Sequence, residues 1–330
     1  MPLSLTVQMV CLRSLPRHYT LGMSVAEATT IATKRLNEHP SVVSMTFEEA
    51  MSDSTLERVQ SVIWGSHLNQ VDMSDMLNIS TKCRDKGKSF LLVVDSCCVN
   101  WMFSDFGKVH LVESHTPPLK RDDRTGERKA ENKIEEYEFA TLKEYIGCNV
   151  EDNLVNSKTS FPRTQALFMK LLLEWLYREE RGQTLAPSPK RARRSTSPSR
   201  NGEDLSFDSY VKERVEELTN APGRVGKFFS TNRPNVVSDM IEMFSRFMTQ
   251  KESLPHMAAI HAALVTQEVI KFITRRDPPL VNQIVMNPID CGAIVMRTPV
   301  SLQSRVISSG REEDDGDVEL VDSNNVDVLE

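Results

Sequence analysis

The stretch that decides the fold is residues 254–296, LPHMAAIHAALVTQEVIKFITRRDPPLVNQIVMNPIDCGAIVM. Its first half places apolar residues at helical spacing, with small residues between them that let another helix approach closely; these apolar positions are Ala259, Ala263, Val269, Ile270 and Ile273. Asp277-Pro278-Pro279 is expected to end this helix, because proline lacks a backbone donor and disfavours helical geometry in the residue before it. Two short β-branched runs follow, so the stretch predicts a helix and then two strands.

Composition sets the class of protein. The chain has 330 residues, of which 39% are hydrophobic, and this suffices for one large domain or two small ones. Its formal net charge of −6 argues against general nucleic-acid binding. No apolar run approaches the roughly 18 residues of a membrane span, and the first residues lack the apolar core of a signal peptide. We therefore expect a soluble intracellular protein that binds neither nucleic acid nor membrane.

The six cysteines show no C-x-x-C pair, which argues against a zinc ribbon and a dithiol redox site. They are Cys11, Cys83, Cys97, Cys98, Cys148 and Cys291. We expect buried, reduced thiols, as is usual in cytosolic and nuclear proteins. Cys97-Cys98 follows a predicted buried strand, where nucleophiles can lie, but no paired base is evident, so packing is favoured over catalysis.

Strand and helix patterns alternate in the first half, which predicts an α/β fold. We expect a helix over 24–38, a strand over 41–46, an apolar run over 57–64, a helix over about 74–86 and a buried strand over 89–95. Strand, helix and strand in this order predict a right-handed crossover in a mostly parallel sheet. Residues 99–113 predict a hairpin that turns at Asp105-Phe106-Gly107.

The second half predicts more helices and two segments without an apolar pattern. Helices are expected over 164–178, over 205–219 within a charged, solvated surface, and over 236–250. We divide the chain into the N-terminal part of the α/β domain (1–150), a helical segment (151–181), a disordered basic linker (182–204), helices with a closing helix-strand-strand unit (205–298) and a disordered acidic tail (299–330).

One motif carries a family resemblance. Thr266-Gln267-Glu268-Val269-Ile270-Lys271 resembles the Ala-Gln-Glu-(Ile/Val)-(Ile/Val)-Lys helix of enzymes that activate ubiquitin-like proteins, and the strand pair after it resembles the pair that closes their adenylation fold. Likeness extends over most of 22–181 loosely and over 236–298 more specifically, and it includes a family strand matched by Glu135–Tyr145. Arg276-Asp277-Pro278-Pro279 points within the family to the regulatory subunits that serve the modifier SUMO. The resemblance implies an incomplete Rossmann-like sheet of the ThiF/MoeB type, flanked by helices.

The phosphate-binding features of that family are not found. The sequence has no G-x-G-x-x-G, and it lacks the opening Tyr-Asp-Arg-Gln-Ile-Arg-Leu-Trp-Gly motif, whose arginine the family would lend to ATP in the partner. We expect either that the first exons are missing from this sequence or that it is a truncated relative. Gly223-Arg224-Val225-Gly226-Lys227 hints at a phosphate loop, but Ala221 and Phe228 stand where that loop needs glycine and Ser or Thr, so we expect a structural turn. His256 and His261 lack the spacing of a zinc helix and are expected on a helix surface or at an interface.

The resemblance implies a regulatory role. ATP with Mg, the zinc site and the thioester cysteine would belong to a catalytic partner subunit, and this chain would carry no catalytic, cofactor or metal residues. Its interface candidates are Ala259, Ala263, Gln267, Glu268 and Lys271, with packing inside the chain as the alternative. The alternatives for function are a regulatory subunit for another modifier such as NEDD8 and a scaffold or decoy that binds the catalytic subunit without supporting adenylation. The missing glycine motif disfavours an NAD-dependent enzyme.

Two peripheral motifs complete the prediction. The first is a basic run, typical of a nuclear localisation signal that an import receptor binds, formed by Lys190, Arg191, Arg193 and Arg194. It predicts a protein that is found in the nucleus and also in the cytoplasm. The alternative is a solvated linker. Residues 311–330 hold nine acids and one arginine. Their apolar residues resemble a SUMO-interacting motif occurring twice, which would bind SUMO by strand addition; they are Val318, Leu320, Val321, Val326, Val328 and Leu329. The alternative is an acidic tail that keeps the protein soluble.

Overall fold

The computed structural model describes residues 8–11, 25–36, 42–65, 73–116, 131–147, 161–180, 206–250, 254–288, 292–296 and 306–307. Its strands are β1 (Gln8–Cys11), β2 (Ser61–Gly65), β3 (Ser89–Asp95), β4 (Asn100–Asp105), β5 (His110–Thr116), β6 (Glu131–Tyr137), β7 (Gln283–Met286), β8 (Ala293–Met296) and β9 (Val306–Ile307). Its helices are α1 (Val25–Leu36), α2 (Phe47–Ala50), α3 (Asp53–Arg58), α4 (Met73–Asp85), α5 (Leu142–Gly147), α6 (Phe161–Glu180), α7 (Phe207–Thr219), α8 (Gly223–Thr249) and α9 (Pro255–Thr274).

The main sheet has six strands in the order β1-β2-β3-β4-β7-β8. The pairs β1–β2 and β2–β3 are parallel, and helix α4 connects β2 to β3, so a strand-helix-strand connection between parallel strands is present as predicted. The pairs β3–β4, β4–β7 and β7–β8 are antiparallel. The α/β class is therefore confirmed, but the sheet is mixed rather than mostly parallel.

The antiparallel half begins at a tight turn between β3 and β4. The Ser96 amide donates to the Val99 carbonyl over 3.1 Å, and the Ser96 hydroxyl accepts from the Val99 amide over 3.0 Å. Chain reversal here makes β4 the antiparallel neighbour of β3, with Asp95 opposite Asn100. The carboxyl end of β3 and the amino end of β4 therefore lie at the same edge of the sheet.

Strand β5 belongs to a second sheet, ordered β5-β6-β9. The predicted hairpin over 99–113 is therefore wrong, because both edges of β4 are already occupied by β3 and β7 and leave no place for β5. Gly107 has a φ of 107°, which allows the chain to leave the main sheet at the predicted turn residues.

Two further strand predictions need correction. The predicted strand over 41–46 is absent from its described part, 42–46, because Thr46 forms a capping box with Glu49 and starts α2 instead. Of the strand expected over Glu135–Tyr145, only the part up to Tyr137 is strand. The amide of Thr141 donates to the Glu144 carboxylate over 2.7 Å, so the end of that segment starts α5.

The predicted helices are present, and three differ from expectation. Helix α7 has a buried side formed by Phe207, Tyr210, Val211, Val215 and Leu218, so it is amphipathic rather than wholly solvated. Helix α8 starts at Gly223, well before the predicted residue 236, so the expected turn at 223–227 is helical. A side chain at Gly226 would place its Cβ 1.9 Å from the Ala221 carbonyl oxygen, and this close approach explains the glycine without a phosphate. Helix α6 extends beyond the predicted 164–178 at both ends.

The main sheet has a hydrophobic core on each face, and strand alternation divides its residues between them. On one face, Leu92, Trp101 and Phe103 join a large cluster that includes buried residues of α4, α6, α7 and α8. On the other face, Leu91, Met102, Ile284 and Met286 form a smaller cluster with residues of α9. Helix α9 is therefore packed on one face of the sheet, and the hairpin β7–β8 after it completes the edge.

Candidate functional site

Helix α9 and the segment after it form the candidate site. Met257, Val265 and Val269 are buried on its inner side and belong to the same core as Leu91 and Met102. Burial of such side chains contributes about 1.5 to 3 kcal/mol each, so apolar packing dominates the attachment of the helix. The helix ends earlier than predicted, because Arg275 is left-handed at φ 53° and its amide donates to the Lys271 carbonyl over 2.8 Å, ahead of the two prolines.

A buried histidine joins the middle of α9 to the main sheet. His261 is fully buried, and its Nδ1 contacts Oδ1 of Asp95, the last residue of β3. This overturns the prediction that His261 lies on a helix surface, whereas His256, at the start of α9, is exposed as predicted. Nε2 of His261 is buried without a hydrogen-bond partner among the described residues. The His261–Asp95 pair therefore holds α9 against the main sheet.

Sequence reasoning missed this pair because it judged His261 by its distance from His256 alone. The signal was the four-residue spacing of Met257, His261, Val265 and Val269, which places all four on one side of a helix. Three of those residues are apolar and buried. Their spacing would have assigned His261 to the inner side.

A second polar anchor, Glu268, lies nearly two turns before the end of α9. Glu268 is buried, accepts from the Leu280 amide over 2.7 Å and pairs with Lys271 Nζ at 2.8 Å. Its carboxylate therefore holds the chain that leads from α9 into β7. A third anchor follows, since the Glu113 amide donates to the Arg275 carbonyl over 2.8 Å and ties α9 to β5.

The outer side of α9 is exposed and largely apolar. It presents Ala259, Ile260, Ala263, Gln267 and Ile270, of which Ile260 is 40% and Ile270 51% exposed. Isoleucines with this much exposure, beside small residues on a helix held firmly from behind, are typical of a docking surface for another protein. We call these five residues the outer face.

The predicted interface residues divide between the two sides of the helix. Ala259, Ala263 and Gln267 lie on the outer face. Glu268 is buried and Lys271 is half-buried, and they bond to each other. The side chains of Glu268 and Lys271 therefore make contacts inside this chain.

Helix α9 is also long and apolar enough to cross a membrane, judged by length and composition alone. Its inner side, however, carries the buried His261 and Glu268, each bonded to another part of the chain. A helix that closes a core passes the same test of length and composition. Packing on the sheet accounts for the apolar residues of the inner side, whereas those of the outer face are exposed.

Cys83, Cys97 and Cys98 are free thiols. Burial raises the pKa of Cys83 to about 12 and that of Cys98 to about 11, so both stay protonated and unreactive. Cys97 is half-buried, and its Sγ lies 2.9 Å from Oε1 of Gln250. These contacts match the expected packing role of the cysteine pair. No cluster of three metal-ligating side chains occurs in the described ranges.

No protein-family model and no curated protein matches this chain. The basic run at Lys190, Arg191, Arg193 and Arg194 lies outside the described residues. The same holds for the apolar residues of the acidic tail, Val318, Leu320, Val321, Val326, Val328 and Leu329. The structural argument for function therefore rests on α9 and its surroundings.

Proposed function

We propose that this chain is the regulatory subunit of a heterodimeric SUMO-activating enzyme. The partner subunit binds ATP and Mg, adenylates SUMO and carries it as a thioester, while this chain supports those steps without catalytic residues of its own. The observation that carries the proposal is the outer face of α9, which belongs to the segment whose sequence resembles the closing unit of the family. We further propose that the chain works in the nucleus and cytoplasm, with residues 190–194 bound by an import receptor and the acidic tail binding SUMO.

The geometry of α9 suits such a role. Its inner side is fixed by packing and by the contacts of His261 and Glu268, so the outer face meets a partner without further ordering. Ala259 and Ala263 are one helical turn apart, and their small side chains allow the backbone of a partner helix to come close. A specific interface buries about 800 Å² on each side, more than one helix face supplies, so the partner must contact neighbouring elements too.

The test is reconstitution with the catalytic subunit of a SUMO-activating enzyme. The pair should copurify, and SUMO-dependent exchange of pyrophosphate into ATP should require both subunits. Ala263→Arg should weaken association by about 2 to 4 kcal/mol, since it places a charged side chain at the centre of the outer face. Ser245→Arg, at an exposed position of α8, is the matched control and should leave both association and exchange intact.

Two results would change the assignment. A pair that forms but shows no exchange identifies a scaffold or decoy, a role favoured by the absence of a G-x-G-x-x-G motif from the sequence. A chain that fails to bind this catalytic subunit but binds that of the NEDD8 pathway serves another modifier. Failure to bind either subunit ends the proposal.

A further inference from the structure

The outer edge of β5 is bonded at Glu113 but has no strand partner at Leu111 within the described residues. β5 pairs with β6 on one side, and β6 pairs with β9 on its other side, so β5 lies at the edge of the small sheet. The Glu113 amide points away from β6, because it donates to the Arg275 carbonyl. In an antiparallel ladder, residues two apart point their backbone groups the same way. The amide and carbonyl of Leu111 therefore face outward as well.

The side chains at this edge fit an acidic, apolar segment. Val109 is 47% and Leu111 40% exposed, which is unusual for large apolar residues beside a free strand edge. Lys108 precedes them, and Arg275 and Arg276 lie beyond Leu111 at the tie to Glu113; all three cations are exposed. The three cations are balanced by the exposed Glu113 and Asp277 and by the half-buried Glu136, which lies opposite Leu111 on β6, so the edge has no net charge and its cations offer local partners for acids.

The chain itself supplies a segment of complementary character. Residues 318–322, Val-Glu-Leu-Val-Asp, combine β-branched and apolar residues with acids and follow the acidic run 312–317. β9 runs parallel to β5, because both are antiparallel to β6, and the chain leaves β9 near the end of β5 that holds Ser114. Three strand spacings amount to about 14 Å, and the ten residues 308–317 span up to about 33 Å. The segment therefore reaches the outer edge of β5 and can run antiparallel to it.

We propose that residues 318–322 add to the outer edge of β5 as a fourth strand, pairing with the backbone of Val109–Leu111. Val318 and Leu320, which share one side of an extended segment, contact Val109 and Leu111, and the acids meet Lys108, Arg275 and Arg276. This contact occupies residues that would bind SUMO, so the edge and SUMO compete for one segment. The strand addition stands independently of the proposed subunit function, whereas the competition rests on it.

The test is zero-length cross-linking of the full chain with a carbodiimide, followed by mass spectrometry. Lys108 should form amide bonds with acids of 312–322, and a mixture of isotope-labelled and unlabelled chains should show these bonds within single chains. Lys143, an exposed lysine on α5, is the matched control and should give few such bonds. Leu111→Glu should abolish most of the Lys108 cross-links through repulsion of the acidic segment.

A second variant separates strand addition from charge attraction. Changing Val318, Leu320 and Val321 together to serine keeps every acid, and it should also remove most of the Lys108 cross-links. Cross-links that survive this change would overturn the proposal, because they would report charge alone. Lys108 reacting no more than Lys143, or bonds forming only between two chains, would overturn it equally.

Discussion

His110 provides a prediction in which the structure fixes both sign and size. Its ring is 3% exposed, stacks on Phe272 at 5.4 Å between centroids and meets Phe106 edge-on at 5.6 Å. Nε2 is buried without a hydrogen-bond partner among the described residues. Burial, with a smaller contribution from the nearby charge of Arg275, lowers the pKa of His110 from 6.5 to about 4. The folded protein therefore holds this imidazole neutral.

The pH dependence follows from that difference. Between pH 6.5 and about 4 the unfolded chain binds a proton at this site that the folded chain does not, so the free energy of unfolding falls as pH falls through this window. Linkage across the two pKa values gives a loss of about 2 to 3 kcal/mol from about pH 7.5 to about pH 4.5. His110→Phe keeps the aromatic contacts and removes the titrating group. The variant should match or exceed the parent near neutral pH and gain about 2 to 3 kcal/mol over it in acid.

Urea denaturation at a series of pH values measures the effect. Tryptophan fluorescence reports unfolding, because Trp101 is fully buried in the main sheet. The variant must be compared with the parent at each pH, since the pKa of Asp105 is raised to about 6 by burial and its contribution has the opposite sign. His256→Phe, at an exposed position, controls for the loss of a histidine. Parallel curves for the parent and His110→Phe would refute the buried neutral imidazole.

Three further predictions concern the larger core, on the face of the main sheet opposite α9. Gly226→Ala should lower the free energy of unfolding by about 2 to 3 kcal/mol, measured by thermal denaturation, because its Cβ would lie 1.9 Å from the Ala221 carbonyl oxygen. Gly147→Ala is the control: no atom lies within 4 Å of its Cβ, so its stability should stay within about 1 kcal/mol of the parent. Lys170→Met should lower the free energy of unfolding by about 3 to 5 kcal/mol, measured by urea denaturation. The fully buried ammonium of Lys170 donates to the carbonyls of Tyr145 and Ile146 at 2.8 and 2.5 Å and pairs with Glu174. An unchanged midpoint would show that this ammonium is solvated. Iodoacetamide at about pH 8 should modify Cys97 before Cys83 and Cys98, because the two buried thiols stay protonated. Peptide mass spectrometry would measure the order of modification. Early modification of Cys83 would contradict its burial.

Elements with one dominant local signal could be predicted from the sequence. The buried strand at 89–95 has the bounds expected for it, and α4 and α9 match their predicted helices closely. Their apolar spacing is set by the face that each element buries, and that information is local. The five interface candidates were predicted as one group, yet only Ala259, Ala263 and Gln267 lie on the outer face, whereas Glu268 and Lys271 bond within the chain.

Strand partners could not be predicted in the same way. The sequence over 99–113 has two β-rich runs around a glycine, and nothing local reveals that β3 and β7 already occupy both edges of β4. The segment over 41–46 has β-branched residues but ends in a capping box, whose signal at Thr46 and Glu49 was readable and outweighed the strand pattern. Pairing depends on residues distant in sequence, such as Met286 opposite Asn100.

The three anchors of α9 set the orientation of its outer face. His261 and Glu268 are seven residues apart, or nearly two full turns, so their side chains lie on one side of the helix, and the Arg275 carbonyl follows at its end. They join it in turn to β3, to the chain entering β7 and to β5. Apolar packing alone tolerates small rotations of a helix on a sheet, whereas a buried hydrogen bond is lost when its partners move apart. Anchors spread over about 21 Å therefore set the rotation of α9. Gln267 and Glu268 are adjacent, yet Gln267 lies on the exposed outer face and Glu268 is buried and bonded within the fold.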